Sequence, residues 1–221
     1  MNYADEISGR FATLLYGSKS EPQIHDRPLL ETQDWLIAPT LGAIVPGWLL
    51  AIPRMRALNF RDWRRVSAEN PISIVDAVCK HLGLARSEVV WFEHGPAEQG
   101  SAAGCGVDYA HLHILIKPRF SFETFANRTK SMSDLHWQTT DGSDAYSYLN
   151  HIGSYLIGGS GDLAIVASNV EATGSQYFRR VVGSLTSQDE QWDYRQHPHS
   201  KNIATTIENF RTLERTARCE R

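Results

Sequence analysis

Two histidines one residue apart, in the run Tyr109-Ala-His-Leu-His-Ile-Leu-Ile116, are the side chains best suited to chemistry in this sequence. Successive side chains of a strand point to opposite faces, so Tyr109, His111, His113 and Leu115 share one face and Ala110, Leu112, Ile114 and Ile116 the other. The second set is wholly apolar and belongs on a core. That fixes the register and sends both imidazoles to the opposite face, about 7 Å apart along the strand. A neutral imidazole, with an ordinary pKa of about 6.5, is a nucleophile at neutral pH, and a second one can polarise or protonate what the first attacks. The pair suits phosphoryl chemistry, with His111 and His113 as the candidate catalytic residues.

The elements that must position this strand follow from apolar spacing and turn residues. Ile7, Phe11, Leu14 and Leu15 predict a helix over 4–16 ending near Gly17. Residues 29–39 and 48–52 predict two strands joined by a Gly- and Pro-containing loop. Asn70-Pro71 opens a helix whose face carries Val75, Val78, Cys79 and Leu82 and which Gly83 stops. A strand over 88–92 then leads through a Gly-, Ala- and Ser-rich loop, residues 95–106, into the strand at 109–116, and Gln99 in that loop is a candidate substrate-binding residue. Further on, the pattern predicts a helix or irregular stretch near 120–132, strands at 154–158 and 163–167 around the turn Gly159-Ser-Gly-Asp162, and helices at 175–185 and 202–218. The reading is a single α+β domain over 1–221, with a core at about 25–120 and a C-terminal elaboration at about 121–221.

Bulk properties narrow the function. A net charge of −3 argues against an extended basic surface, so no extended nucleic acid is expected as a partner, while a single nucleotide fits. Cys79, Cys105 and Cys219 are widely spaced and odd in number, as in a reducing compartment. The opening residues carry Asp5 and Glu6 where a secretory signal carries positive charge, and the apolar stretch 41–53 is interrupted by glycines and proline. The expectation is a cytoplasmic protein with no membrane partner.

The strand resembles the signature of the histidine-triad (HIT-like) superfamily, His-apolar-His-apolar-His-apolar-apolar, which Tyr109 to Leu115 matches at six of seven places. Phe92-Glu-His-Gly95 and the Gly-rich stretch before Val107-Asp108 resemble the lead-in of a bacterial branch reading Asp-His-Ala-His-Leu-His, and Pro46-Gly47 with Leu49-Leu-Ala-Ile-Pro-Arg54 resembles the superfamily's second strand. The resemblance covers residues 30–120 and implies a HIT-like fold: an antiparallel sheet with packed helices, here with a helical C-terminal extension. It implies a nucleotide hydrolase or nucleotidyl transferase that acts on a nucleotide or nucleotide conjugate. In this scheme His111 attacks the α-phosphorus to give a covalent nucleotidyl-histidine and His113 hydrogen-bonds phosphate oxygens. It requires no cofactor and is compatible with a homodimer.

Tyr109 departs from the pattern at the first histidine position, and a phenol with a pKa of about 10 carries no positive charge at pH 7. Tyr109 is therefore read as a substrate-binding residue that shapes the pocket. Trp48 and Arg56 stand where relatives have histidine, and Thr40 where they hold the ribose through a carboxylate. Residues 174–195 resemble C-terminal extensions of longer relatives. There Gln176 and Arg179, three apart near a predicted helix N-terminus, are candidates for a phosphate clamp.

Two other readings stand beside this one. Tyr109 in place of histidine also fits a catalytically impaired module that binds or senses a nucleotide. His111 and His113 with His94 or Cys105 also fit the ligand types of a zinc-dependent hydrolase. Glu93 beside His94 is either an acid that orients an imidazole or an ordinary strand end, and His197-Pro-His199 reads as surface.

Overall fold

A computed structural model of the chain describes residues 10–17, 21, 23–101, 103, 107–149 and 153–219. Eight strands form one sheet among these residues: β1 (Leu30–Glu31), β2 (Trp35–Pro39), β3 (Trp48–Pro53), β4 (Val89–Gly95), β5 (Leu112–Ile116), β6 (Gln138–Asp141), β7 (Tyr155–Ser160) and β8 (Leu163–Ser168). Their order is β1-β2-β3-β5-β4-β7-β8-β6, every neighbouring pair antiparallel. The helices are α1 (Arg10–Tyr16), α2 (Phe60–Ser67), α3 (Ile72–Leu82), α4 (Phe122–Ser131), α5 (Tyr177–Leu185) and α6 (Ser200–Cys219). The architecture is the expected α+β one, an antiparallel sheet with packed helices and a C-terminal helix. The strands from beyond residue 120 extend the same sheet. No helix among the described residues is long and apolar enough to cross a membrane.

Three expectations about the strands change. The run 29–39 is not one strand: Thr32 accepts the N–H groups of Asp34 and Trp35 and bends the chain into the β1–β2 hairpin. The histidine strand begins at Leu112, because Ala110 donates its N–H to the carbonyl of Ala57 in a loop rather than to a neighbouring strand. The β7–β8 turn tightens to two residues, Gly161-Asp162, with Gly161 at φ +57°. Gly159 instead lies inside β7, where an added Cβ would come within 2.5 Å of the Trp91 ring.

Both faces of the sheet are covered. Leu49, Ala51, Trp91, Leu112, Ile114 and Ile157 pack on one side with α2, α3 and Phe210 of α6. On the other side, Val90, Phe92, Leu115 and Trp48 pack with Phe125 of α4, Tyr177, Phe178, Val181 and Val182 of α5, and Ile203 of α6. Next to them Leu36, Ala38, Leu50, Ile52 and Tyr109 pack under Phe11, Leu14 and Leu15 of α1. Alternation put the histidines on the face opposite Leu112 and Ile114, and that face is itself roofed by helices.

Candidate functional site

Three imidazoles meet on the α1 and α5 side of the sheet, His94 and His113 by alternation on β4 and β5 and His111 from the position just before β5. His113 on β5 pairs with Phe92 on β4, and His94 lies two residues beyond Phe92 on the same face. The ring centroids of His111 and His113 are 5.1 Å apart, and those of His94 and His113 6.1 Å apart. The cluster lies at the seam between two apolar patches. Phe11 of α1 meets the His111 ring edge-on at 5.4 Å, and Phe178 of α5 meets His94 at 5.0 Å. Between them Phe92 stacks on His113 at 4.9 Å. His111 is 7 % exposed, His113 5 % and His94 3 %.

Hydrogen bonds fix which nitrogen of each ring carries the proton. Nδ1 of His111 lies 2.8 Å from the Tyr109 carbonyl, which can only accept, so Nδ1 is protonated and Nε2 holds the free lone pair. The Trp48 indole N–H donates to Nδ1 of His113 at 3.0 Å, which places the His113 proton on Nε2. The Phe178 backbone N–H, in the first turn of α5, donates to Nε2 of His94 at 3.1 Å. The His94 proton is therefore on Nδ1, a buried atom with no hydrogen-bond partner. The Thr40 hydroxyl is likewise buried and unpartnered.

Burial keeps all three imidazoles neutral by disfavouring the charged form. It pushes His94 down to about 3, helped by repulsion from His111, Arg179 and Arg180. It lowers His113 well below its ordinary value, with His111, His94 and Arg179 adding to the effect. It also lowers His111, opposed by the bond to the Tyr109 carbonyl. At neutral pH the cluster is thus uncharged, with a free lone pair at Nε2 of His111 and N–H donors on His113 and His94, and is not a store of positive charge.

The remaining predicted site residues are placed differently from one another. Tyr109 is buried beside the cluster, but its hydroxyl donates to the carbonyls of Pro53, at 2.9 Å, and Arg54, at 3.2 Å. Burial raises its pKa above the ordinary phenol value. Gln99 is exposed in the turn after β4. Gln176 precedes α5 in a left-handed conformation, φ +59°, and its side-chain amide donates to Asp193 at 3.1 Å. Arg179 stacks on the Trp48 ring at 4.9 Å and donates to the carbonyls of Trp192, Leu41 and Gly42. These two residues bind the segment around residues 191–196 to the loop at 41–42, and Arg179 meets the histidines through the indole that hydrogen-bonds His113.

Glu93 does not orient His94, because adjacent strand residues face opposite ways. Its buried carboxylate accepts from the Phe60 N–H at 2.7 Å, Tyr146 at 2.8 Å and Tyr155 at 2.7 Å on the far face of the sheet. Burial raises it to about 7 against the pull of those bonds and of Arg61. Cys105 lies outside the described residues, and among the described residues no group of three or more His, Cys, Asp or Glu is arranged to hold a metal ion. His197 and His199 are half-buried, 6.1 Å apart, with His199 bonded to the Gln191 carbonyl.

Sequence reasoning did not find the roles of Trp48 and Phe11. It named His94 only as a zinc ligand or an acid–base partner. The signal for His94 was present in Phe92-Glu-His-Gly95, where parity puts Phe92 and His94 on one face of β4 and Glu93 on the other.

No family model and no curated protein matches the chain. Among solved structures it is similar to one described as a Hit-like protein involved in cell-cycle regulation from Bartonella henselae, with unknown ligand. The two are 19 % identical, with a TM-score of 0.37, and the match covers 49 % of this chain and 76 % of that one.

Proposed function

We propose that this chain is a HIT-like nucleotide hydrolase or nucleotidyl transferase in which Nε2 of His111 attacks the α-phosphorus of a nucleotide. The observation that carries the reading is the hydrogen bond between His111 Nδ1 and the Tyr109 carbonyl. It leaves the Nε2 lone pair free. Once Nε2 bonds phosphorus the ring becomes cationic, and the same carbonyl then faces the N–H of a positive ring and holds it more strongly.

The Nε2–phosphorus bond forms as the bond from phosphorus to the leaving oxygen breaks, and the leaving group departs with the electron pair. Water, or an acceptor hydroxyl, then attacks phosphorus, loses its proton to solvent, and returns the pair to Nε2. His113 donates its Nε2–H to a phosphate oxygen, and the unpartnered Nδ1–H of His94 is a second donor on the same face. The neutral cluster and the engaged Tyr109 hydroxyl supply no proton to the leaving group. The favoured substrates are therefore those that leave as stable anions, such as dinucleoside polyphosphates, over phosphoramidates that leave as amines.

Incubation with both substrate types, followed by intact-mass measurement for an acid-labile nucleotidyl adduct lost in His111→Ala, tests the reading. A second reading, a nucleotide-binding or sensing module without turnover, is favoured by the burial of His111 beneath Phe11. In the same experiment that module would bind nucleotide but form no adduct.

A further inference from the structure

A second site lies at the other end of the histidine strand. A cavity of about 820 Å³, a size typical of small-molecule sites, opens where β5 ends against the loop before β3, the end of α5 and one side of α6. Lys117 and Arg119 line one wall, and no acidic side chain lines it among the described residues. Asn202, Thr205, Asn209 and Thr212, at helical spacings of three and four, present a stripe of uncharged polar groups from α6. The wall between them is apolar, including Ile44 and Leu185.

The chain is bent to make this wall. Lys117 adopts a left-handed backbone, φ +46°, immediately before Pro118, a conformation uncommon for a residue with a side chain. The bond from its N–H to the Glu88 carbonyl, 2.8 Å, holds it there. This turn brings Lys117 and Arg119 together at the cavity. The Lys117 ammonium meets Glu88 at 3.4 Å on an exposed surface, a weak pairing. Among the described residues neither the Arg119 guanidinium nor the Asn209 amide has a hydrogen-bond or ion-pair partner.

From this arrangement we propose that the cavity binds a small phosphate monoester with a hydroxyl-bearing body, of the sugar-phosphate class. A phosphate monoester carries a charge of about −1.5 to −2 at pH 7, which matches two cations on one turn. A guanidinium offers it paired donors in one plane. On α6 the Asn209 amide donates to the hydroxyls of the body and the Thr205 and Thr212 hydroxyl oxygens accept from them, while the Asn202 amide is held by the Ala43 and Ile44 carbonyls. The site is separate from the histidine cluster and does not depend on its chemistry.

The test is a titration of the full chain with ribose 5-phosphate, followed by amide chemical shifts. The expected result is saturable binding with shifts clustered at residues 116–119 and 202–213, weakened about tenfold or more in Arg119→Ala, the effect of losing a charged hydrogen bond, and about threefold or more in Asn209→Ala, the effect of losing a neutral one. Both positions are exposed, so both variants keep the fold, and a circular dichroism spectrum checks it. His111→Ala should bind as wild type, which separates this site from the proposed nucleotide chemistry. Absence of saturable binding, unchanged affinity in Arg119→Ala, or shifts confined to the histidines would overturn the proposal. Inorganic phosphate binding as tightly as ribose 5-phosphate would overturn it as well, because the α6 stripe would then contribute nothing.

Discussion

The indole N–H of Trp48 donates to Nδ1 of His113 at 3.0 Å, with both groups buried. This bond sets the tautomer of His113 and, through Arg179 stacked on the same indole, ties the cluster to the C-terminal part of the chain. Trp48→Phe keeps most of the ring volume but leaves Nδ1 without its donor, at a cost of about 1 to 3 kcal/mol. The expected outcome is a lower thermal midpoint and a changed ¹⁵N shift of His113, with His111 unmoved. An unchanged His113 spectrum would show that another group fixes its proton.

Phe11 covers His111 from α1, meeting it at 5.4 Å. Phe11→Ala removes a buried aromatic and costs about 3 kcal/mol, the low end for such a truncation, because α1 packs at the margin of the sheet. The variant is expected to carbethoxylate at His111 faster than wild type, while His113 and His94, covered by Phe92 and Phe178, change less. Equal reactivity of His111 in both proteins would mean that α1 does not control access.

The histidines give the fold an acid limit. Their folded-state pKa values are depressed below the ordinary 6.5, so the unfolded chain takes up protons that the native state refuses. Their contribution is full above about pH 6.5 and is lost as pH falls toward the folded values, at about 1.4 kcal/mol per pH unit for each histidine concerned. Glu93, raised to about 7, runs the other way: its contribution is present below its unfolded value of 4.5 and fades as pH rises through 7. Three depressed histidines outweigh one raised carboxyl, so the urea midpoint should fall between pH 6.5 and pH 4.5, and His94→Asn should make that fall shallower. A midpoint that climbs over this range would contradict the assignment of neutral, buried imidazoles.

Gly95 ends β4 against the ring of Tyr155, where an added Cβ would lie 2.0 Å from Cζ. Gly95→Ala must displace a ring whose hydroxyl donates to Glu93 at 2.7 Å, so both packing and a buried hydrogen bond are lost. A loss of about 3 kcal/mol is expected by chemical denaturation. A loss of less than about 1 kcal/mol would show that the Tyr155 ring moves aside without cost.

The parts of this fold legible in the sequence are those specified locally. α3 announced itself through Asn70, whose side chain accepts the Ile72 N–H, an apolar face, and Gly83 in a left-handed cap. The face of His113 followed from alternation alone, and His111, one residue before β5, reaches the same side. α2 was missed because Phe60-Arg-Asp-Trp-Arg-Arg-Val-Ser67 is only eight residues long and half charged, although Phe60 and Trp63, both buried, stand at helical spacing. Its start was nevertheless marked by Asn59, which accepts the Asp62 N–H at 2.8 Å. β6, Gln-Thr-Thr-Asp, carries no apolar face at all and exists because β8 offers it an edge.

The site was legible in its chemistry but not in its surroundings. Which helix roofs which face is decided by contacts between residues far apart in sequence, such as Phe11 with His111 and Phe178 with His94. No local pattern encodes these. The same holds for Tyr109: its place in the strand pattern aimed it at the pocket, and the carbonyls of Pro53 and Arg54 hold its hydroxyl instead.

The most direct measurement is the intact mass of the protein quenched during incubation with a dinucleoside polyphosphate. The expected result is a mass increase of one nucleotidyl group, lost on mild acid treatment, mapped to His111 by peptide analysis, absent in His111→Ala and kept in Tyr109→Phe. Turnover or tight nucleotide binding with no adduct at His111, or an adduct that persists in His111→Ala, would contradict it.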